Sequence, residues 1–244
     1  MATPLRLLSA NIQAGHSTRA YRDYLVRGWG HLLPNGKDRN LDALADLARG
    51  FDIVGLQESD PGSLRSGFRN QTRDLAERGG FPYWSHQPNR SVAGIAGSAN
   101  GLLARRPPRQ VLDYPLPGRI AGRGVMLARF DDGDAAWTLA VTHLSLGVPS
   151  RRRQLDFLGE LLADHPRAVL MGDFNCPADA PELANLYRRT ALMPPPERIA
   201  TFPSWAPARS LDHVLTAGFE ITEYRTAPAA ASDHLAVAVT LVPR

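Results

Sequence analysis

Cysteine is almost absent from this 244-residue chain: Cys176 is the only one. A single thiol excludes an intramolecular disulfide framework and thiolate-clustered structural zinc. With no matching ligand cluster, Cys176 is expected to be a small buried residue rather than a nucleophile. Lysine is equally scarce. Lys37 stands alone, so the positive charge is nearly all arginine. Net charge is +4 with a pI near 9.6, and no basic tail is present. Such a balance permits a polyanionic partner without requiring one. Long apolar runs are missing too. The start, Met1 to Arg6, has no h-region of signal-peptide length, and no stretch approaches the ~18 apolar residues of a spanning helix. A cytoplasmic protein without stable membrane insertion is expected. No low-complexity tract or composition shift divides the chain. Residues 1–244 are therefore expected to form one α/β domain, large enough to need no staples.

What is present is a series of short apolar runs with polar tips. Ala168-Val-Leu-Met-Gly-Asp-Phe-Asn175 is the most informative. Residues two apart on a strand share a face, so Asp173 and Asn175 are delivered side by side, and Gly172 lets another backbone approach. Asp can orient or deprotonate water, and neutral Asn can donate to a phosphoryl oxygen without adding negative charge. Leu5 to Gln13 reads as a strand with Asn11 near its end, and Phe51 to Glu58 as one ending in a carboxylate. Arg123 to Phe130 and Ala136 to Leu144 flank Asp131-Asp-Gly-Asp134, a hairpin signal, and the second closes with Thr142-His143. Asn100 to Ala104, Leu211 to Leu215 and Ser232 to Leu241 are further strands. Phe81 to Ser98 reads as loop with a short strand at Tyr83-Trp84, and Ala14 to Pro34 has no assignment.

Helical spacing of leucine marks Asn40–Arg49, with Gly50 as a stop, and Ser150 to Asp164, with Ser150 as N-cap. Helices are also expected over Leu64–Arg78 and Pro181–Arg189. Strand, polar tip, loop, helix and acid-tipped strand run from Leu5 to Glu58, and the same order recurs from Trp137 to Asn175. Two such halves predict two sheets packed face to face, helices outside, with polar tips converging on one edge.

Those tips are Asn11, Glu58, His143, Asp173, Asn175, Asp212, Asp233 and His234. Several carboxylates with oxygen-rich neighbours and no thiolates describe a hard-cation site for Mg²⁺ or Mn²⁺. The histidines supply proton-transfer partners. Any one of these residues could be a satisfied polar group at a strand end. Together, in this alternation, they point to chemistry.

Asn11, Leu56-Gln-Glu58, Thr142-His-Leu144, Gly172-Asp-Phe-Asn175, Leu211-Asp-His213 and Ser232-Asp-His234 together resemble the endonuclease/exonuclease/phosphatase superfamily. That family includes DNase I-like nucleases, abasic-site endonucleases, inositol polyphosphate 5-phosphatases and bacterial sphingomyelinases. The match spans nearly the whole chain in the family's order. The resemblance implies a four-layer α/β sandwich of two packed sheets flanked by helices. It implies Glu58 as principal Mg²⁺ ligand with Asn11 and Asp233 nearby, and His234 oriented by Asp212 to meet the phosphate or activate water. Asp173 would position or deprotonate the nucleophile, Asn175 would steady the pentacovalent centre, and His143 would donate to a phosphate oxygen. Many members carry tyrosine where this chain has His213, which is expected to be structural. His16, His31, His86 and His165 match no family motif and are expected at the surface or in packing.

The expected activity is metal-dependent phosphodiester hydrolysis by in-line water attack, with DNA or RNA favoured as substrate and a monomer as the working form. The alternative is a phosphatase or phospholipase-type enzyme acting on an inositol phosphate or phospholipid headgroup. A catalytically dead scaffold is disfavoured, since it usually loses an acidic tip. Candidate substrate contacts are Asn100, Trp205 as a stacking platform, and Arg151, the first of Arg151-Arg-Arg153. Arg105-Arg106, Arg119, Arg123 and Arg188-Arg189 are candidates for a positive track.

Overall fold

Strand parity decides the layers. In β1 (Leu5–Asn11), Leu7 faces one apolar cluster and Leu8 another. In β8 (Ala168–Asp173), Val169 and Met171 point one way while Leu170 points the other. Both faces are covered, so these strands are continuously apolar. Each fully buried leucine of this kind contributes ~2 kcal/mol. The structure is a computed structural model describing residues 3–13, 37–63, 66, 68–92, 96–118, 122–132, 135–228 and 232–244.

After β1 come α1 (Lys37–Ala48), β2 (Ile53–Ser59), α2 (Gln71–Gly79), β3 (Tyr83–Val92) and β4 (Ala96–Ala104). Next are β5 (Gln110–Pro115), β6 (Gly124–Asp132), β7 (Ala135–His143), α3 (Val148–Leu162) and β8. A 3-10 turn at Pro181–Leu183 leads into α4 (Ala184–Arg189), followed by β9 (Asp212–Ala217), β10 (Phe219–Ala227) and β11 (Ala236–Pro243). One sheet runs β10-β11-β1-β2-β4-β3 and the other β5-β6-β7-β8-β9. β1 pairs parallel with β2, and β7 with β8. The connection in each case carries α1 or α3, as the repeated order of elements predicts. Leu102, Met126, Leu139, Val214 and Val239 fill the space between the sheets. Leu41, Leu44 and Leu75 cover the outer face of the first sheet, and Leu155, Leu158 and Leu186 that of the second. The result is the expected four-layer α/β sandwich.

The last strand, β11, begins at Ala236 rather than Ser232, which leaves Ser232-Asp-His234 in the turn before it. Three further departures lie at sheet edges. β3 is a full strand where a loop was expected, and its Pro88 is tolerated because an edge strand need not donate on both sides. β5 and β10 had no sequence signal, because each keeps one face in water and loses the apolar run. Helix starts also shift. α3 begins at Val148, with Gly147 as N-cap and Pro149 in its first turn, rather than at Ser150. α2 begins only at Gln71, where the Asn70 side chain caps the amide of Arg73. The whole unassigned Ala14–Pro34 stretch, with His16 and His31, lies outside the described residues, as does Arg119.

Candidate active site

Inward-facing positions change from apolar to polar in the last register of the sandwich. His143, Asp173 and Asp212 are consecutive partners across β7, β8 and β9, forming one row on the inner face. Asn11 ends β1 on the facing sheet. Gly172, one position before Asp173, has φ of +149°, and a Cβ there would lie 1.9 Å from the Thr142 carbonyl oxygen. Only glycine permits that approach.

Glu58 reaches the same space by a different route. Strand parity from Ile53 would turn it toward the helices. The β2–β4 register shifts between Leu56 and Ser59, and Glu58 takes a left-handed φ of 58°. That turn brings Glu58 Oε1 to 3.4 Å from Asn11 Nδ2 and 3.9 Å from His143 Nε2. Asn175 also sits in the left-handed region, at φ 56°. Its amide nitrogen donates to the Leu144 carbonyl at 3.0 Å, which ties the Gly-Asp-Phe-Asn turn to the segment after His143.

Asp173 is the centre. Its Oδ2 accepts from Asn11 Nδ2 at 3.1 Å and lies 3.3 Å from His143 Nε2 and 3.9 Å from His234 Nε2. Its Oδ1 accepts from the backbone N–H of Asn175 at 2.9 Å. Burial alone would raise this carboxyl, but His143, then His234 and the Asn175 amide, hold it far below the usual range. It is ionised at neutral pH.

Asp212 and His234 form the second unit, with Oδ2 and Nδ1 2.8 Å apart. Burial opposes charge on His234, but Asp212, and behind it Asp173 and Asp233, raise the imidazole to about 10. Burial, with the charge of Asp173 adding to it, raises Asp212. Both shifts describe one proton held tightly in the pair, on the imidazole, with Nε2 directed toward Asp173. Thr201 completes the arrangement, its Oγ1 donating to Asp212 Oδ2 at 2.6 Å. Its carbonyl accepts from Leu235, and Ser204 binds the carbonyls of Ser232 and Asp233. The 201–204 segment thereby fixes the Ser-Asp-His turn. Nothing in the sequence marks Thr201, a lone hydroxyl eleven positions before Asp212.

Asp233 is buried, and burial raises its carboxyl; His234 opposes this, while Glu58 adds to it. Glu58, Asp173, Asp212 and Asp233 thus share a small volume, and among the described residues His143 and His234 are the groups that balance them. This excess of oxygen donors and negative charge fits a hard divalent cation. Asn11 presents its amide nitrogen to the carboxylates while its oxygen accepts from Gln13. In this conformation its nitrogen steadies the acids, and its oxygen keeps a second lone pair. Asp173, Asp212 and His234 also place one donor atom each within 4.8 Å of one another and could hold a cation, although the Asp212–His234 contact already holds a proton.

Of the proposed substrate contacts, two lie elsewhere. Arg151 is buried, bound to Glu182 and to the carbonyls of Ser145 and Leu146, so it braces the loop after His143 and has no guanidinium free for phosphate. Asn100 is fully buried between the sheets, donating to Gln87 and to the Gly124 carbonyl, and acts as a polar pin in the core. Trp205 is half-buried and follows Ser204, beside the Ser-Asp-His turn. His213 is buried with Nε2 2.8 Å from the Cys176 carbonyl and its ring edge-on to Phe174. The positive track is dispersed. Arg105 donates to the carbonyls of Phe51, Gly80 and Arg49, and Arg189 pairs with Glu160 on the outer helices.

The sandwich and its acidic, histidine-containing mouth define a phosphoester hydrolase. The chain belongs to the Endonuclease/Exonuclease/phosphatase family, whose match spans residues 8–234. Its fold is similar to an endonuclease/exonuclease/phosphatase from Beutenbergia cavernae (21% identity, TM-score 0.75, covering 98% of this chain and 72% of that one). A mannosyl-6-phosphatase from Bacteroides thetaiotaomicron (18%, TM-score 0.65, 98% and 99%) is also similar. So is sphingomyelinase C from Streptomyces griseocarneus (18%, TM-score 0.64, 98% and 99%). No curated protein is similar enough to match. Among the described residues no helix is long and apolar enough to cross a membrane.

Proposed function

We propose that the chain is a divalent-metal-dependent phosphodiesterase that hydrolyses its substrate by in-line attack of water. The observation that carries this reading is the Asp173 carboxylate, ionised, buried and within 3.1–3.9 Å of Asn11, His143 and His234. Asp173 takes the proton of the attacking water, and Asn11 holds its Oδ2 in place. The Asp212-paired imidazolium of His234 donates from Nε2 to a phosphoryl oxygen, and Asn175 and His143 add donors as charge develops. Glu58 and Asp233 would hold Mg²⁺ or Mn²⁺, which neutralises the anionic phosphoryl group when bound.

For the substrate, we favour a phosphodiester carrying an apolar moiety, such as a phospholipid headgroup ester. Leu146 is 77% exposed and Val148 44%, and both follow His143 closely at the catalytic edge. Similarity to a sphingomyelinase C agrees with this reading. Nucleic acid is the second reading. Trp205 supports it as a stacking platform, while Arg105, Arg151 and Arg189, expected to hold phosphates, are engaged by carbonyls or carboxylates of this chain. The test compares oligonucleotides across a salt series with sphingomyelin and phosphatidylinositol phosphates in micelles, each with and without EDTA. Micellar turnover abolished by EDTA supports the first reading. Oligonucleotide cleavage that falls steeply with salt supports the second, and EDTA-resistant turnover would overturn metal dependence.

A further inference from the structure

Two cavities meet at the edge of the sandwich opposite the catalytic mouth, with volumes of about 630 and 730 Å³. Trp137 and Arg167 line both. Thr138, which lines the first, lies five residues before His143 on β7, so roughly 16 Å of strand separates this edge from the active site. Arg109, Arg129, Arg167 and His165 all line that cavity. Asp131 and Asp164 line it too, but Asp131 lies 3.7 Å from Arg109. Among the described residues, no carboxylate pairs with Arg129 or Arg167.

Arg167 is the informative residue. Its stem packs so closely on Gly218 that a Cβ there would lie 2.7 Å from Arg167 Cγ. Its guanidinium sits over the Phe219 ring, 5.3 Å from the centroid. Its Nε is buried without a hydrogen-bond acceptor. A buried donor left unmatched is costly, and a guanidinium is the donor best shaped for a tetrahedral oxyanion. His165 Nδ1 meets Thr138 Oγ1 at 2.9 Å, which leaves Nε2 as the ring nitrogen available to a ligand. Trp137, Phe130 and Phe219 are too deeply buried to stack on a ring, so they form a floor.

We propose that this edge is a second binding site, for the phosphate group of a small phosphorylated molecule, with Arg129, Arg167 and His165 as its donors. Calorimetric titration of pyrophosphate in EDTA tests it on the wild-type protein and on Arg129→Gln, Arg167→Gln and His234→Ala. Arg129 is exposed on β6, so R129Q removes charge without disturbing the core and carries the test if R167Q fails to fold. The expected result is a single site weakened at least about tenfold by R129Q and by R167Q. That site is unaffected by H234A, and turnover is unchanged in R129Q. Absence of binding at millimolar pyrophosphate, loss of binding in H234A alone, or equal affinity for sulfate and citrate would each overturn it.

Discussion

Thr201 Oγ1 donates to Asp212 Oδ2 at 2.6 Å, and that same oxygen lies 2.8 Å from His234 Nδ1. The second oxygen of Asp212 is buried and unpartnered, so orientation of this carboxylate rests on Thr201 and His234. Thr201→Val should lower kcat about tenfold with KM nearly unchanged, the scale of one lost bond to a buried charge. Thr201→Ser should restore most of it. His234→Ala should cost ~10²-fold or more. Steady-state kinetics decide the matter: a valine variant with parental kcat would remove Thr201 from the positioning scheme.

Glu58 carries backbone strain at the site of its function. A glutamate at φ 58° is disfavoured by roughly 1 kcal/mol relative to glycine. Glu58→Gly should therefore raise thermal stability while abolishing metal-dependent turnover, and Glu58→Ala should abolish turnover without the gain. Melting curves in EDTA, run beside activity with Mg²⁺ restored, separate the two effects. A glycine variant less stable than the alanine variant would show that the turn is not strained.

The same residue shows what the sequence could convey. Buried strands with polar tips are legible because apolar runs and turn residues are local signals, and the site's acids and histidines stand at their ends. The bulge that swings Glu58 inward is not legible, since parity alone assigns it to the other face. Nor are β5 and β10, whose water-exposed faces dilute the apolar pattern. Asn100 and Arg151 look like substrate contacts in the sequence for one reason: their partners, Gly124 and Gln87 for one, Glu182 for the other, are remote in sequence. A polar side chain bound for the core looks the same, residue by residue, as one bound for a ligand.

Arg151 and Glu182 are both buried, and the guanidinium also holds the Ser145 and Leu146 carbonyls. Removing one partner leaves the other charge buried and alone, at a cost of about 3–5 kcal/mol. Arg151→Met should therefore lower the melting temperature sharply, whereas an Arg151→Met/Glu182→Leu double variant should recover most of the loss. Arg152→Gln and Arg153→Gln, on the exposed face of α3, should change stability by no more than ~0.5 kcal/mol. A thermal-shift series across the four variants checks this. A single Met variant as stable as the parent would return Arg151 to the pool of available cations.

Cys176 sets a limit on stability at alkaline pH. Burial pushes its thiol from the ordinary 9.0 up to about 12; Arg151 opposes the rise, and Glu182 and Asp173 add to it. A group whose folded value is raised contributes stability that is complete below the unfolded value and is lost as pH climbs through the folded one. The window here is therefore pH 9 to about 12. Within it, this thiol alone should lower unfolding free energy by at most ~1.4 kcal/mol per pH unit. Cys176→Ala removes that slope at the expense of a small cavity, so its denaturation midpoint should fall less than the parent's between pH 9 and 11. The same burial makes the native thiol inert, and iodoacetamide at pH 8 should label it only after denaturant is added. Rapid labelling of the folded protein, or parallel pH profiles for parent and variant, would show that the thiol is open to solvent.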